Sequence, residues 1–104
     1  MRKIIKAKWG YEAVYAQEEW FTGSYMEIGS GRSTPYKTAA FDIIYDILDG
    51  TVRFTINGRV YDFSTGKTVS IKKGTKYSIM GVTVSKINKV AKFTLKDEDF
   101  TPYG

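Results

Sequence analysis

The spacing of turn residues limits this chain more than any other feature. Gly29-Ser30-Gly31, Asp49-Gly50, Asn57-Gly58, Gly66 and Lys73-Gly74 cut it into short apolar, β-branched and aromatic runs. Runs of this kind, alternating with period two and showing almost no helical periodicity, read as strands. The expected strands cover residues 4–9, 20–28, 40–48, 51–56, 59–63, 68–71, 77–80, 82–87 and 91–95. Asn57-Gly58 is the clearest hairpin signal, because a type I′ turn needs positive φ at both central positions. Turn signals at intervals of roughly 8 to 12 residues predict an all-β sandwich or barrel. No linker, repeat or low-complexity segment interrupts the 104 residues, and a domain of that length buries roughly 65% of its unfolded surface. Residues 96–104 read as a polar tail.

The sequence contains neither cysteine nor histidine. Disulfides, thiolate nucleophiles and zinc–thiolate sites are therefore excluded. Without histidine, the usual neutral-pH general base and the commonest transition-metal ligand are also missing. The formal net charge is +5, concentrated in residues 2–8, 72–76 and 86–96. Lysines on strand edges and turns keep a β-protein soluble, and nucleic-acid binding would rest on charge alone, so it is not expected. No apolar run approaches the roughly 20 residues of a membrane span, and no secretory signal is visible. A cytoplasmic protein without membrane association is the expectation.

The glycine spacing also resembles the two-part signature of the cupin superfamily. The first cupin motif sets a glycine, a His-x-His pair, a glutamate and a closing glycine at fixed separations. Here Gly31, Lys37, Ala39, Ile43 and Gly50 stand at those positions. The second motif is matched by Gly66, Lys72, Gly74, Tyr77 and Gly81, after fifteen intervening residues. The resemblance covers about residues 20–95 and implies a double-stranded β-helix, or jelly-roll, barrel as one cupin-like domain over 1–104, with an N-terminal strand at 3–9. A shorter stretch, 41–79, is similar to the cupin part of ethanolamine-utilisation accessory proteins. Cupin N-terminal strands commonly pair across a two-fold axis, so the resemblance further implies a homodimer. Ile4, Ile5 and the aromatics between Trp9 and Tyr15 suit such an interface.

The departures from the pattern are equally informative. The metal-ligand positions carry Lys37, Ala39, Ile43 and Tyr77, and a protonated lysine, an alanine and an isoleucine are not ligands. Asp42 neighbours the glutamate position but faces the other side of its strand. No metal or other cofactor is expected, and the oxidative chemistry of metal-dependent cupins goes with it. The metal-independent sugar-epimerase branch uses a histidine base that this chain lacks. Metal-free cupins of kinetochore and storage proteins serve instead as dimerisation or scaffold modules.

Alternation places Tyr45 and Ile47 inward with Ile43, and puts Lys37 and Tyr77 at the old metal centre. Tyr25 and Ser70 are expected to join them from neighbouring strands. A lysine among tyrosines suits a small anionic or polar ligand, such as a nucleotide, sugar phosphate or carboxylate, held for sensing, sequestration or carriage. The alternative is a filled barrel acting as a dimerisation or interaction module, with Lys37 reaching out at the mouth. A third reading is a metal-independent enzyme using lysine and tyrosine. No nucleophile–base–orienter arrangement supports it, and no catalytic residue is assigned. Glu18-Glu19 reads as a solvated turn, and Trp9 and Trp20 as core or dimer-seam residues.

Overall fold

The computed structural model describes residues 3–92, and all of their regular structure is β. The strands are β1 (Lys3–Ala7), β2 (Gly10–Gln17), β3 (Phe21–Ile28), β4 (Lys37–Thr38), β5 (Asp42–Asp49), β6 (Thr51–Ile56), β7 (Arg59–Ser64), β8 (Thr68–Ile71), β9 (Lys76–Gly81) and β10 (Ser85–Lys92). One sheet runs β1-β2-β3-β10-β5-β8 and the other β4-β9-β6-β7. Every strand pair is antiparallel. No helix of the described residues is long and apolar enough to cross a membrane.

Alternation decides which side chains meet between the sheets. On β5, Ile43, Tyr45 and Ile47 are buried while Ile44 and Asp46 face outward. Met26, Ile28 and Ile87 extend that layer from β3 and β10, and Val52, Phe54 and Ile79 answer from the four-stranded sheet. Each such side chain contributes roughly 1.5–3 kcal/mol on burial. Phe54 anchors the centre, with its ring edge-on to Tyr45 at 5.4 Å and to Phe63 at 5.6 Å between centroids.

The turn chemistry is as the spacing predicts. Asn57 and Gly58 have φ of 49° and 83°, as the β6–β7 hairpin requires. Gly50 lies at φ 95°, where a Cβ would stand 2.6 Å from the Val84 carbonyl oxygen, so that motif position tolerates only glycine. Asp42 faces outward, and its Oδ1 accepts the Lys73 N–H at 2.8 Å, fastening the turn at Gly74 to the start of β5.

Two sequence expectations are corrected. Residues 10–17 form a full strand, β2, paired with β1 on one side and β3 on the other. Its inward positions are Gly10, Glu12 and Val14, too mixed to display apolar alternation. The expected strand at 82–87 is also displaced: residues 82–84 form a turn, and one continuous strand, β10, runs Ser85–Lys92. Lys89 occupies an inward position there and breaks the apolar signal between Ile87 and Ala91. The expected strand residues 93–95 and the tail at 96–104 lie outside the described residues.

Candidate functional site

Across the interior, the Tyr45 hydroxyl of β5 meets the Tyr77 hydroxyl of β9 at 2.5 Å. The rings pack at a 60° angle with centroids 6.0 Å apart. Only 1% of Tyr45 and 4% of Tyr77 is exposed, so this bond joins the two sheets through the core. Burial is the main cause that pushes both phenols above their ordinary range, and the nearby Glu12 carboxylate adds to it. Both therefore remain neutral donors and acceptors at physiological pH.

A charged pair lies beside them. Lys89 stands opposite Tyr45 in the β10–β5 register, so the two side chains share the inner face. Its Nζ lies 3.4 Å from Glu12 Oε2 of β2, with 20% and 14% of the two side chains exposed. Ser24 faces Lys89 from β3, and its buried Oγ has no hydrogen-bond partner among the described residues. Lys37 of β4 is opposite Tyr77 in register, on the same face, but is exposed at the barrel mouth.

Two cavities meet at these residues. The inner one, about 40 Å³, is lined by Glu12, Tyr45 and Met26 with Trp9 closing one side, and has room for one or two waters. The outer one is an open cleft of about 460 Å³ at the mouth, bounded by Thr22, Thr38, Phe41 and Ile43. Lys37, Tyr77 and Lys89 line both. The arrangement offers two ammonium groups and a neutral phenol to a group entering from the mouth, with one carboxylate balancing one of the cations.

Of the residues singled out in the sequence, Lys37, Tyr45 and Tyr77 come together, and Tyr25 and Ser70 do not join them. Tyr25 lies in opposite phase to the buried Met26 and Ile28. It points to the outer face, its ring 6.1 Å from that of Tyr11. Ser70 is exposed between the buried Val69 and Ile71 of β8. In both strands a one-residue offset reverses the face. Glu12 and Lys89 were missed. The available signal was a charged residue in the inward phase of Ile87-x-Lys89-x-Ala91, and it required seeing β10 as one strand.

The positions matching the cupin metal ligands do not fit a metal. Ala39 and Ile43 are 4% and 6% exposed and present only hydrocarbon, and Tyr77 offers a neutral phenol in place of a carboxylate or imidazole. Among the described residues no group of three His, Cys, Asp or Glu side chains is placed to hold an ion. Trp9 packs against the core, and Trp20 is 61% exposed at the β2–β3 turn.

No family model and no curated protein matches the sequence. Solved structures do match. The cupin domain of Cnp3 from Schizosaccharomyces pombe is 22% identical with a TM-score of 0.77, over 92% of this chain and 72% of that one. An RmlC-like cupin from Shewanella frigidimarina is 8% identical with a TM-score of 0.80, over 93% and 88%. A conserved protein of unknown function from Streptococcus pyogenes is 16% identical with a TM-score of 0.76, over 82% and 75%. What these proteins share with the chain at such identities is backbone architecture, and together with its two facing antiparallel sheets it shows that the chain has the cupin fold, a double-stranded β-helix.

Proposed function

We propose that this protein binds a small anionic molecule at the open end of its barrel, to sense, sequester or carry it. One observation carries the reading: Lys37, Tyr77 and Lys89 line both the inner cavity and the mouth cleft. Cations with a neutral phenol beside them attract and orient an oxyanion, and the low-dielectric wall behind them strengthens the attraction. Native mass spectrometry of freshly purified protein tests this directly. A discrete non-covalent mass that vanishes in Lys37→Ala supports the reading. A bare protein that no anion stabilises against heat overturns it.

A second reading rests on the same tyrosines. Tyr45 and Tyr77 fill the centre and leave only about 40 Å³, which suits a barrel acting as a structural interaction module. That reading includes a homodimer along β1, whose outer edge pairs with no other strand among the described residues and whose Ile4 and Ile5 are 58% and 42% exposed. Light scattering coupled to size exclusion checks it: Ile4→Lys turns a dimer into a monomer if β1 is the seam, and leaves the mass unchanged if it is not.

A further inference from the structure

The mouth cleft sets cations and a phenol next to hydrocarbon, and that pairing specifies a ligand class. Lys37, Lys89 and Tyr77 stand where the cleft meets the inner cavity, since they line both. Lys89 is already compensated by Glu12 at 3.4 Å, so among the described residues the Lys37 charge is left over. A group with a single negative charge balances it. A phosphate monoester, carrying nearly two charges, would place excess negative charge near Glu12.

The hydrocarbon wall continues from these cations, with Ala91 two residues beyond Lys89 and Ala39 two beyond Lys37. Ile43 and Ala39, both nearly buried, form it with Phe41 and Ala91. A free oxyanion would leave this wall in water, whereas an apolar body attached to the anion would cover it. The volume of about 460 Å³ lies within the range of small-molecule sites and far exceeds what a bare carboxylate occupies.

From this arrangement we infer that the cleft takes an amphiphilic monoanion: a carboxylate head at Lys37, Tyr77 and Lys89, with an aliphatic or aromatic body on the Ile43–Phe41 wall. The inference rests on the anion-binding reading above and adds the ligand's charge and shape. The carboxylate accepts hydrogen bonds from the two ammonium groups and the phenol, and its body displaces water from the wall. The exposed lysines near the mouth, Lys72, Lys73 and Lys76, raise the local anion concentration without selecting the body.

Isothermal titration of the intact protein with acetate, butanoate, hexanoate and octanoate, alongside 1-hexanol and inorganic phosphate, tests it. Affinity is expected to rise about three- to fourfold per methylene until the wall is covered. Hexanoate should bind at least about tenfold more tightly than 1-hexanol, as loss of a charge-assisted hydrogen bond predicts. In Lys37→Ala that preference should collapse while the gain per methylene persists. Phosphate and acetate binding equally, with no gain from chain length, overturns the amphiphile inference and leaves the anion reading standing. If no anion binds at all, both fall. Equal affinity for hexanol and hexanoate, or hexanoate binding unchanged in Lys37→Ala, places the ligand elsewhere and overturns the inference.

Discussion

The hydroxyls of Tyr45 and Tyr77 meet 2.5 Å apart in the middle of the barrel, one from each sheet. Each satisfies a polar group that would otherwise be buried without a partner, so the pair closes the space between sheets without leaving an orphan. In the resemblance to cupins, Tyr77 stands at a metal-ligand position. The hydrogen bond between the two phenols links the two sheets at that position.

The two hydroxyls depend on each other, and a double-mutant cycle should show it. Tyr77→Phe leaves the Tyr45 hydroxyl buried beside a ring edge, at a cost of about 1–3 kcal/mol. Tyr45→Phe should cost a similar amount. The double phenylalanine variant removes both groups and should be nearer the parent than the sum of the singles. Urea denaturation of the four proteins measures the coupling, and strict additivity would show that the bond contributes nothing.

The same pair should weaken the protein at alkaline pH. Both phenols are raised above their ordinary value of 10.0, chiefly by burial. Above that pH the unfolded chain releases these protons while the native state keeps them, so stability falls as pH rises. Below it the contribution is fully present. Denaturation midpoints measured from about pH 8 to 11.5 should therefore fall less steeply for Tyr45→Phe/Tyr77→Phe than for the parent. Parallel curves would mean that the tyrosines ionise freely in the native barrel.

Glu12 and Lys89 allow binding to be separated from stability. Lys89→Met strands the Glu12 carboxylate in the interior and should cost about 2–3 kcal/mol, below the ~3–5 of a fully buried pair because both side chains keep some exposure. Glu12→Leu with Lys89→Met should restore most of that loss, since a matched apolar pair is often neutral. In a titration the double variant should bind hexanoate more weakly than the parent, by about one charge-assisted hydrogen bond, because Lys37 and Tyr77 still line the cleft. A stable Lys89→Met single variant would instead show that the pair is solvated.

Much of this architecture was legible in the sequence because turn geometry is local. Positive φ at Asn57-Gly58, Gly50, Gly66 and Gly74 is set by the residues themselves, and alternation along 43–47 fixes which side of β5 is core. The phase of Tyr25 and Ser70 was not legible, because the face of a strand depends on which neighbours share its burial. Met26 and Val69 decide it, and a single-residue offset reverses it. The ion pair was hidden for a different reason. Glu12 and Lys89 are 77 positions apart, meet only through β3 lying between β2 and β10, and each breaks the apolar pattern that marks a strand.

Two glycines in neighbouring strands should differ in what alanine costs. At Gly10, φ is 150° and an added Cβ would lie 1.8 Å from the Glu27 carbonyl oxygen, which is backbone held in the β2–β3 ladder. Nothing there can turn aside, so Gly10→Ala must separate Gly10 from Ile28 and should cost at least about 2 kcal/mol. At Gly23 the added Cβ would meet the Tyr15 ring at 2.8 Å. That ring is 48% exposed and can swing into solvent, giving up only its bond to Asn88 Oδ1. Gly23→Ala should therefore cost less than about 1 kcal/mol. Denaturation of the two variants, with amide exchange at Tyr11 and Glu27, distinguishes the cases. Exchange should quicken there in Gly10→Ala alone, and equal protection in both variants would show that β2 yields at Gly10 without leaving the sheet.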